Sequence, residues 1–389
     1  MIQPLLGLLI LVSIVAFGDI ISNLTKARIP MLAVALLTYM LLTWAGMPKD
    51  LLEIAHVERF AGVIVPILIV HMGTMLPFEK LKKQWKAVLI GLGGVAGIVI
   101  LCIGLGTFLV GYPSSVAAVG PLTGGIIAGI ITMEGLDAAG FSTLVVITGV
   151  SLAIQGFIGM PLASNILKKR ASKVKRSSSL LDECEEQSSE IQNKRGIISL
   201  IPDKYFSNII ILLFVITGGT AAVYLEGFTK GMIDASIFAL AIGIIGSYFG
   251  FFHRKILEKS NSFGITMLLL LVYVLPMMMN RVTPEMFTTM IGRVIILMVL
   301  GSVGMIAGSF TVGRLVGWDW SLSIPVASTA FYGFPGNYLL CKEVARTVGK
   351  DKEHEKEIMN DLLSPMLVGG YSTITTSSIV IASILVGTL

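Results

Sequence analysis

Two stretches of this chain place helix-breaking residues beside hydroxyls and amides in otherwise apolar surroundings. One runs Gly120-Pro121-Leu122-Thr123-Gly124-Gly125-Ile126-Ile127-Ala128-Gly129-Ile130-Ile131-Thr132. The other runs Ser328-Thr329-Ala330-Phe331-Tyr332-Gly333-Phe334-Pro335-Gly336-Asn337-Tyr338. Pro335 removes a backbone donor and clashes with the preceding turn, and Gly124-Gly125 allows a tight reversal. Broken backbone survives at membrane depth only where protein buries it or water reaches it. Freed amides at a half-helix N-terminus suit an anionic group. Freed carbonyls at a half-helix C-terminus, and hydroxyls, suit a sodium ion. A third stretch, Gly369-Gly370-Tyr371-Ser372-Thr373-Ile374-Thr375-Thr376-Ser377-Ser378, adds hydroxyls. The candidate solute-binding residues are therefore Thr123, Gly124, Gly125, Gly336, Asn337, Thr373 and Thr375, with Thr376 and Ser377 as candidate sodium ligands. A plainer use of the same residues stays open: prolines that kink a helix, glycines that let helices approach and hydroxyls that bond backward along their own helix. Two breaks at matching places in the chain favour a site.

The elements that hold these residues must be membrane helices. Hydrophobic residues make up 54% of the chain and charged residues 14%, and mean hydropathy is +0.85. A soluble domain carries roughly 25% charged residues. About 20 apolar residues span a bilayer as a helix. Spans are expected at 4–23, 29–46, 59–76, 86–110 and 139–167, then at 206–224, 232–252, 263–280, 290–316 and 362–387. The broken stretches 115–134 and 321–340 lie outside this set, and 168–203 is a hydrophilic linker. The first apolar run lacks a basic leader and a cleavage pattern, so it is expected to remain as a helix.

The two halves resemble each other. A constant offset, 284 − 77 = 207, carries Pro77 onto Pro284, Lys86 onto Arg293, Gly94 onto Gly301, Gly97 onto Gly304 and Gly106 onto Gly313. Near the start an offset of 229 − 25 = 204 carries Thr25-Lys26 onto Thr229-Lys230 and Gly46 onto Gly250. Residues 1–167 and 204–389 are thus expected to be two repeats. The basic linker start (Lys168, Lys169, Arg170, Lys173, Lys175, Arg176) places 168–203 in the cytoplasm. With five crossings per half, both termini lie outside a multi-pass plasma (inner) membrane, and the repeats are inverted. That scheme requires 115–134 and 321–340 to dip in and return as re-entrant hairpins.

Other chemistry is thin. The three cysteines form no CxxC pair, and the four histidines have no metal-ligand spacing. His56, His253 and His354 read as loop residues and His71 as an intramembrane one. Asp19 lies near the end of the first span, while Glu134, Asp137, Lys342, Glu343 and Arg346 read as solvated loop charges. There is no GxSxG, HExxH or P-loop, so neither an enzyme nor an ATP-driven pump is indicated. The net charge of +5 sits mostly in loops, so it reports orientation and not nucleic-acid binding.

This organisation resembles the sodium/glutamate symporter and 2-hydroxycarboxylate transporter superfamily. The matching positions are Gly124-Gly125 in the first broken stretch and Gly333, Gly336 and Asn337 in the second. Neither tip reads Gly-Gly-x-Gly, the form common in that superfamily: the first continues Ile126-Ile127 and the second holds Phe334-Pro335. The resemblance implies an all-α protein of two inverted five-helix repeats, each with a Gly-rich re-entrant hairpin. It implies sodium-coupled symport of a small organic anion or amino acid such as glutamate, by an elevator motion, in a homodimer. Hydroxycarboxylate members hold a carboxylate with an arginine in the last span, and 362–387 contains none. A carboxylate would then depend on hairpin amides and hydroxyls alone. A proton-coupled exporter or antiporter drawing on Asp19 or Glu134, and a channel or membrane sensor, are the alternatives.

Overall fold

The computed structural model describes residues 3–76, 84–124, 126–174, 207–229, 235–280, 283–374 and 376–389, and among them there is helix but no strand. The helices up to the linker are α1 (Pro4–Leu24), α2 (Met31–Trp44), α3 (Leu51–Ile54), α4 (Glu58–Met75), α5 (Trp85–Val110), α6 (Tyr112–Gly124), α7 (Ile126–Ala138) and α8 (Val145–Ala171). After it come α9 (Asn208–Phe228), α10 (Ala235–Tyr248), α11 (Ile256–Lys259), α12 (Phe263–Met279), α13 (Pro284–Val316), α14 (Trp320–Ser328), α15 (Gly333–Val348), α16 (Lys352–Ile374) and α17 (Thr376–Val386). Five stretches, in α1, α5, α8, α9 and α13, are long and apolar enough to cross a bilayer. Large apolar side chains such as Leu5, Phe108, Ile209 and Phe228 stand exposed. In water such surface would drive aggregation; against lipid it is at no disadvantage. The protein is an all-α membrane protein.

The chain divides into two compact units. The smaller comprises Met1–Leu8, Leu51–Lys83 and Lys175–Tyr273. In it α4, α9 and α10 pack together. Glycines set the α4–α10 approach: a Cβ on Gly73 would lie 2.8 Å from Gly243 Cα. His71 on α4 is fully buried. Its Nδ1 accepts from the Leu257 amide at 3.2 Å, and its ring centroid lies 4.9 Å from that of Phe263. It is a packed residue.

The larger unit comprises Leu9–Asp50, Gln84–Val174 and Val274–Leu389. Its most extensive helix contact is the antiparallel seam of α5 with α13. Gly93 meets Gly308 and Val312, Gly97 meets Gly304, and Gly106 meets Leu297. At Gly97–Gly304 main chain touches main chain, as small residues permit in membranes. α5 ends at Gly111, whose φ of +87° only glycine adopts freely. α6 and α7 then turn back on each other: a Cβ on Gly120 would overlap Thr132 Oγ1 and lie 3.0 Å from the Ala128 carbonyl. α8 is the most interior of the long apolar helices, with 61% of its apolar window buried against 28–33% in the other four.

Three expectations are corrected. α15 runs to Val348, so Lys342, Glu343 and Arg346 ride on a helix. Glu343, expected in a solvated loop, is buried, as is its neighbour Cys341. His354, expected in a loop, lies on α16 and is 6% exposed; its Nδ1 accepts from the Lys350 amide and its Nε2 sits 3.1 Å from the Val174 carbonyl. Hydropathy marks only the apolar part of the last span. α16 begins ten residues earlier, at Lys352 rather than 362, because Lys- and Glu-rich turns are good helix formers that carry it past the apolar boundary. Helix is described on both sides of residue 375, over Lys352–Ile374 and Thr376–Val386. Residues 175–206, which include most of the linker, lie outside the described residues.

Candidate functional site

A proline lies in or beside each break. Pro121 has no N–H, so the carbonyl four residues back, on Ala117, has no helical donor. The structure supplies one from another helix: Thr148 Oγ1 on α8 donates to the Ala117 carbonyl at 2.7 Å. Thr148 and the carbonyl's helix are both buried there. Replacing Thr148 with the near-isosteric valine should leave that carbonyl bare and cost about 1–3 kcal/mol. Thermal unfolding of the purified protein checks this; an unchanged midpoint would mean that the carbonyl has another donor.

The second break is longer. α14 ends at Ser328, a 3₁₀ turn covers Thr329–Phe331, and α15 starts at Gly333. Gly333 has φ +56°, and Phe334 is extended at φ −86°, ψ 139°. With Tyr332–Phe334 out of helical geometry, the Phe331 carbonyl has no helical donor. Local side chains brace the turn. Thr329 Oγ1 donates to the Val326 carbonyl at 2.6 Å. Ser328 Oγ donates to the Pro325 carbonyl at 2.7 Å and lies 3.1 Å from the Tyr332 hydroxyl. A Cβ on Gly336 would lie 2.9 Å from Tyr332 Cδ2 and 3.0 Å from Met160 Cε.

Both breaks pack on α8. α6, α14, α15 and the 329–331 turn all contact it, and α6 also contacts that turn. Along α8, Thr148, Ser151, Gln155 and Gly159 share one face at helical spacing. Thr148 is tied to α6 at one end of this face. At the other, a Cβ on Gly159 would lie 2.7 Å from Phe331 Cβ and 3.2 Å from Tyr332 Cδ1. The result is a polar strip of buried helix where two interrupted helices meet.

The sequence candidates fare unevenly. Thr123 is fully buried, and its Oγ1 bonds back to the Val119 and Gly120 carbonyls at 2.9 and 3.1 Å. Gly124 ends α6, and Gly125 lies outside the described residues. Gly336 packs on Tyr332 and Met160. Asn337 is buried. Its Oδ1 accepts from the Tyr338 amide at 2.8 Å and its Nδ2 reaches the Met366 carbonyl at 3.5 Å, so it joins α15 to α16. Thr375 and the side chains of Thr373 and Thr376 lie outside the described residues. Ser377 begins on α17, which packs on α6 and α7; its Oγ has no partner among the described residues.

Sequence reasoning missed Ser151, Gln155 and Glu343. Gln155 had one available signal: an amide in the middle of an apolar run. No charge, proline or glycine pair stands beside it to mark the position. Asp19 pairs with Arg346 at 3.1 Å with both side chains about two-fifths exposed, 43% and 41%, and Glu134 is exposed. Both carboxylates on which proton coupling would have drawn thus lie at the protein's surface. Beside α14, Asp319 caps the helix through the Ser321 amide at 3.2 Å and accepts from Lys173 Nζ at 2.6 Å. That ammonium holds its carboxyl below the usual carboxylate range.

No protein-family model matches the chain, and no curated protein matches it.

Proposed function

We propose that this protein is a secondary transporter for a small organic anion or amino acid such as glutamate, driven by sodium. The observation that carries this reading is the meeting of two interrupted helices on one polar face of α8, inside the unit that holds both breaks. Interrupted helices near the midplane are how such transporters bind solute and ion. In this reading Thr123, Gly124, Gly125, Gly336 and Asn337 line the solute path, with Thr373 and Thr375 contributing hydroxyls. The larger unit is the carrier in an elevator motion, and 115–134 and 321–340 are re-entrant.

The α5–α13 seam supports an inverted duplication. Gly97 and Gly304 are equivalent under the offset of 207, and each meets the other's carbonyl. Gly94 meets Ala327 on α14 while its equivalent Gly301 meets Leu122 on α6. Such reciprocal contact is what a two-fold relation produces, and the antiparallel run of the helices puts the axis across them.

Uptake into proteoliposomes, with and without an inward sodium gradient, tests the reading. Concentrative uptake of an anionic or zwitterionic solute only with the gradient is expected; equal flux under both conditions removes the sodium coupling, and no flux of any such solute removes the transporter. Gly336→Val should lower that uptake by about tenfold or more with monodisperse protein retained, because the new side chain presses Tyr332 and Met160 at the break. Unchanged uptake would take Gly336 out of the site.

A further inference from the structure

Two oxygens on the polar face of α8 are left without donors. Ser151 is fully buried and Gln155 is 2% exposed, yet Ser151 Oγ and Gln155 Oε1 have no hydrogen-bond partner among the described residues. An amide oxygen only accepts, so it must meet either a donor or a cation. The two residues are four apart, which sets their side chains side by side, about 6 Å apart at Cβ.

Their surroundings narrow the choice. They lie on α8 between Thr148, tied to α6, and Gly159, against Phe331. Gln155 sits about one helical turn, roughly 6 Å, from Gly159. The Phe331 carbonyl there has no helical donor, because the backbone leaves helical geometry over Tyr332–Phe334. The Ala117 carbonyl, freed in the same way, is already taken by Thr148. No group of three or more His, Cys, Asp or Glu side chains suited to a metal occurs among the described residues. Divalent cations are held largely by carboxylates. Neutral oxygens alone suit a dehydrated monovalent cation, as carbonyl rings do in selectivity filters.

We infer that Ser151 and Gln155 hold a dehydrated alkali-metal cation at the point where the two interrupted helices meet. Its role as coupling ion rests on the transport reading; its binding does not. The site differs from the Thr376–Ser377 position, which is on α17.

The experiment is thermal unfolding of the purified protein in sodium, potassium or choline chloride at matched ionic strength, with an ammonium chloride arm. The wild type is expected to be stabilised by one alkali-metal salt over choline, saturably. Ser151→Ala and Gln155→Leu should each raise the half-saturating concentration about tenfold or more, while Thr288→Ala, at an exposed position of α13, leaves it unchanged. Gln155→Glu keeps an oxygen in place and should retain the response even if Gln155→Leu does not fold. A wild type that unfolds alike in every salt overturns the inference, leaving a buried water as the partner. So does a wild-type half-saturating concentration in Ser151→Ala, or loss of the response in Gln155→Glu. Stabilisation by ammonium only would reassign the oxygens to a solute's amino group. Gradient-driven uptake without any cation response sinks this site and spares the transporter; a cation response without solute uptake does the reverse.

Discussion

Gly304→Val should cost about 3 kcal/mol or more of stability, because at this point of the α5–α13 seam no side chain is there to yield. At Gly304 the added Cβ would overlap the Gly97 carbonyl and lie 2.6 Å from Gly97 carbonyl carbon. Overpacked cores usually lose about 1–3 kcal/mol by shifting side chains. Here both neighbours are main chain, so the helices themselves must part. Parting them also pulls Gly308 from Gly93 and Cys102 Sγ from the Leu297 carbonyl, 3.5 Å away. The control lies on the same helix. Gly292 is exposed, and a Cβ there would meet nothing within 4 Å, so Gly292→Val should unfold close to wild type. Thermal unfolding and gel filtration compare the two. Equal midpoints would mean that the seam is not close-packed.

The second large effect concerns Glu343. Its Oε2 accepts from Ser22 Oγ at 2.8 Å and its Oε1 from the Met31 amide at 3.0 Å. Met31 opens α2, and Pro30 before it provides no side-chain cap. A carboxylate from α15, 312 residues away, therefore caps that helix and meets its positive end. Glu343→Ala leaves a buried hydroxyl and a buried amide unpaired, an expected loss of about 3 kcal/mol. Glu343→Gln keeps an acceptor and should lose less. Arg346 lies one turn further on and pairs with Asp19 at the surface. Arg346→Ala should cost under about 1 kcal/mol, as exposed pairs contribute little. The predicted order in unfolding midpoint is Arg346→Ala above Glu343→Gln above Glu343→Ala. If Arg346→Ala proved the lowest of the three, the buried carboxylate would not be the anchor.

These two sites show what the sequence makes readable. α1, α5, α9 and α13 were visible because lipid demands long apolar runs with self-satisfied backbone. The breaks at 121–126 and 328–336 were visible because Pro and Gly punctuate a helix wherever they fall. Glu343 was not, because its neighbours Lys342 and Arg346 resemble a solvated loop. Its partners are a serine and a main-chain amide from the far end of the chain, and neither leaves a mark in local composition. Gln155 carries no charge, so nothing in a charge scan sets it apart from its helix.

The bond from Thr148 to Ala117 limits how a gate could work. If α6 slid over α8 during a transport cycle, the Ala117 carbonyl would lose its donor at a depth with no water to replace it, and nothing within α6 could take over. That makes shear between these two helices expensive, so they should travel as one body. Any opening that admits cargo is then expected on the sides of α6 turned away from α8, and its rate would be set by helices that share no such strap.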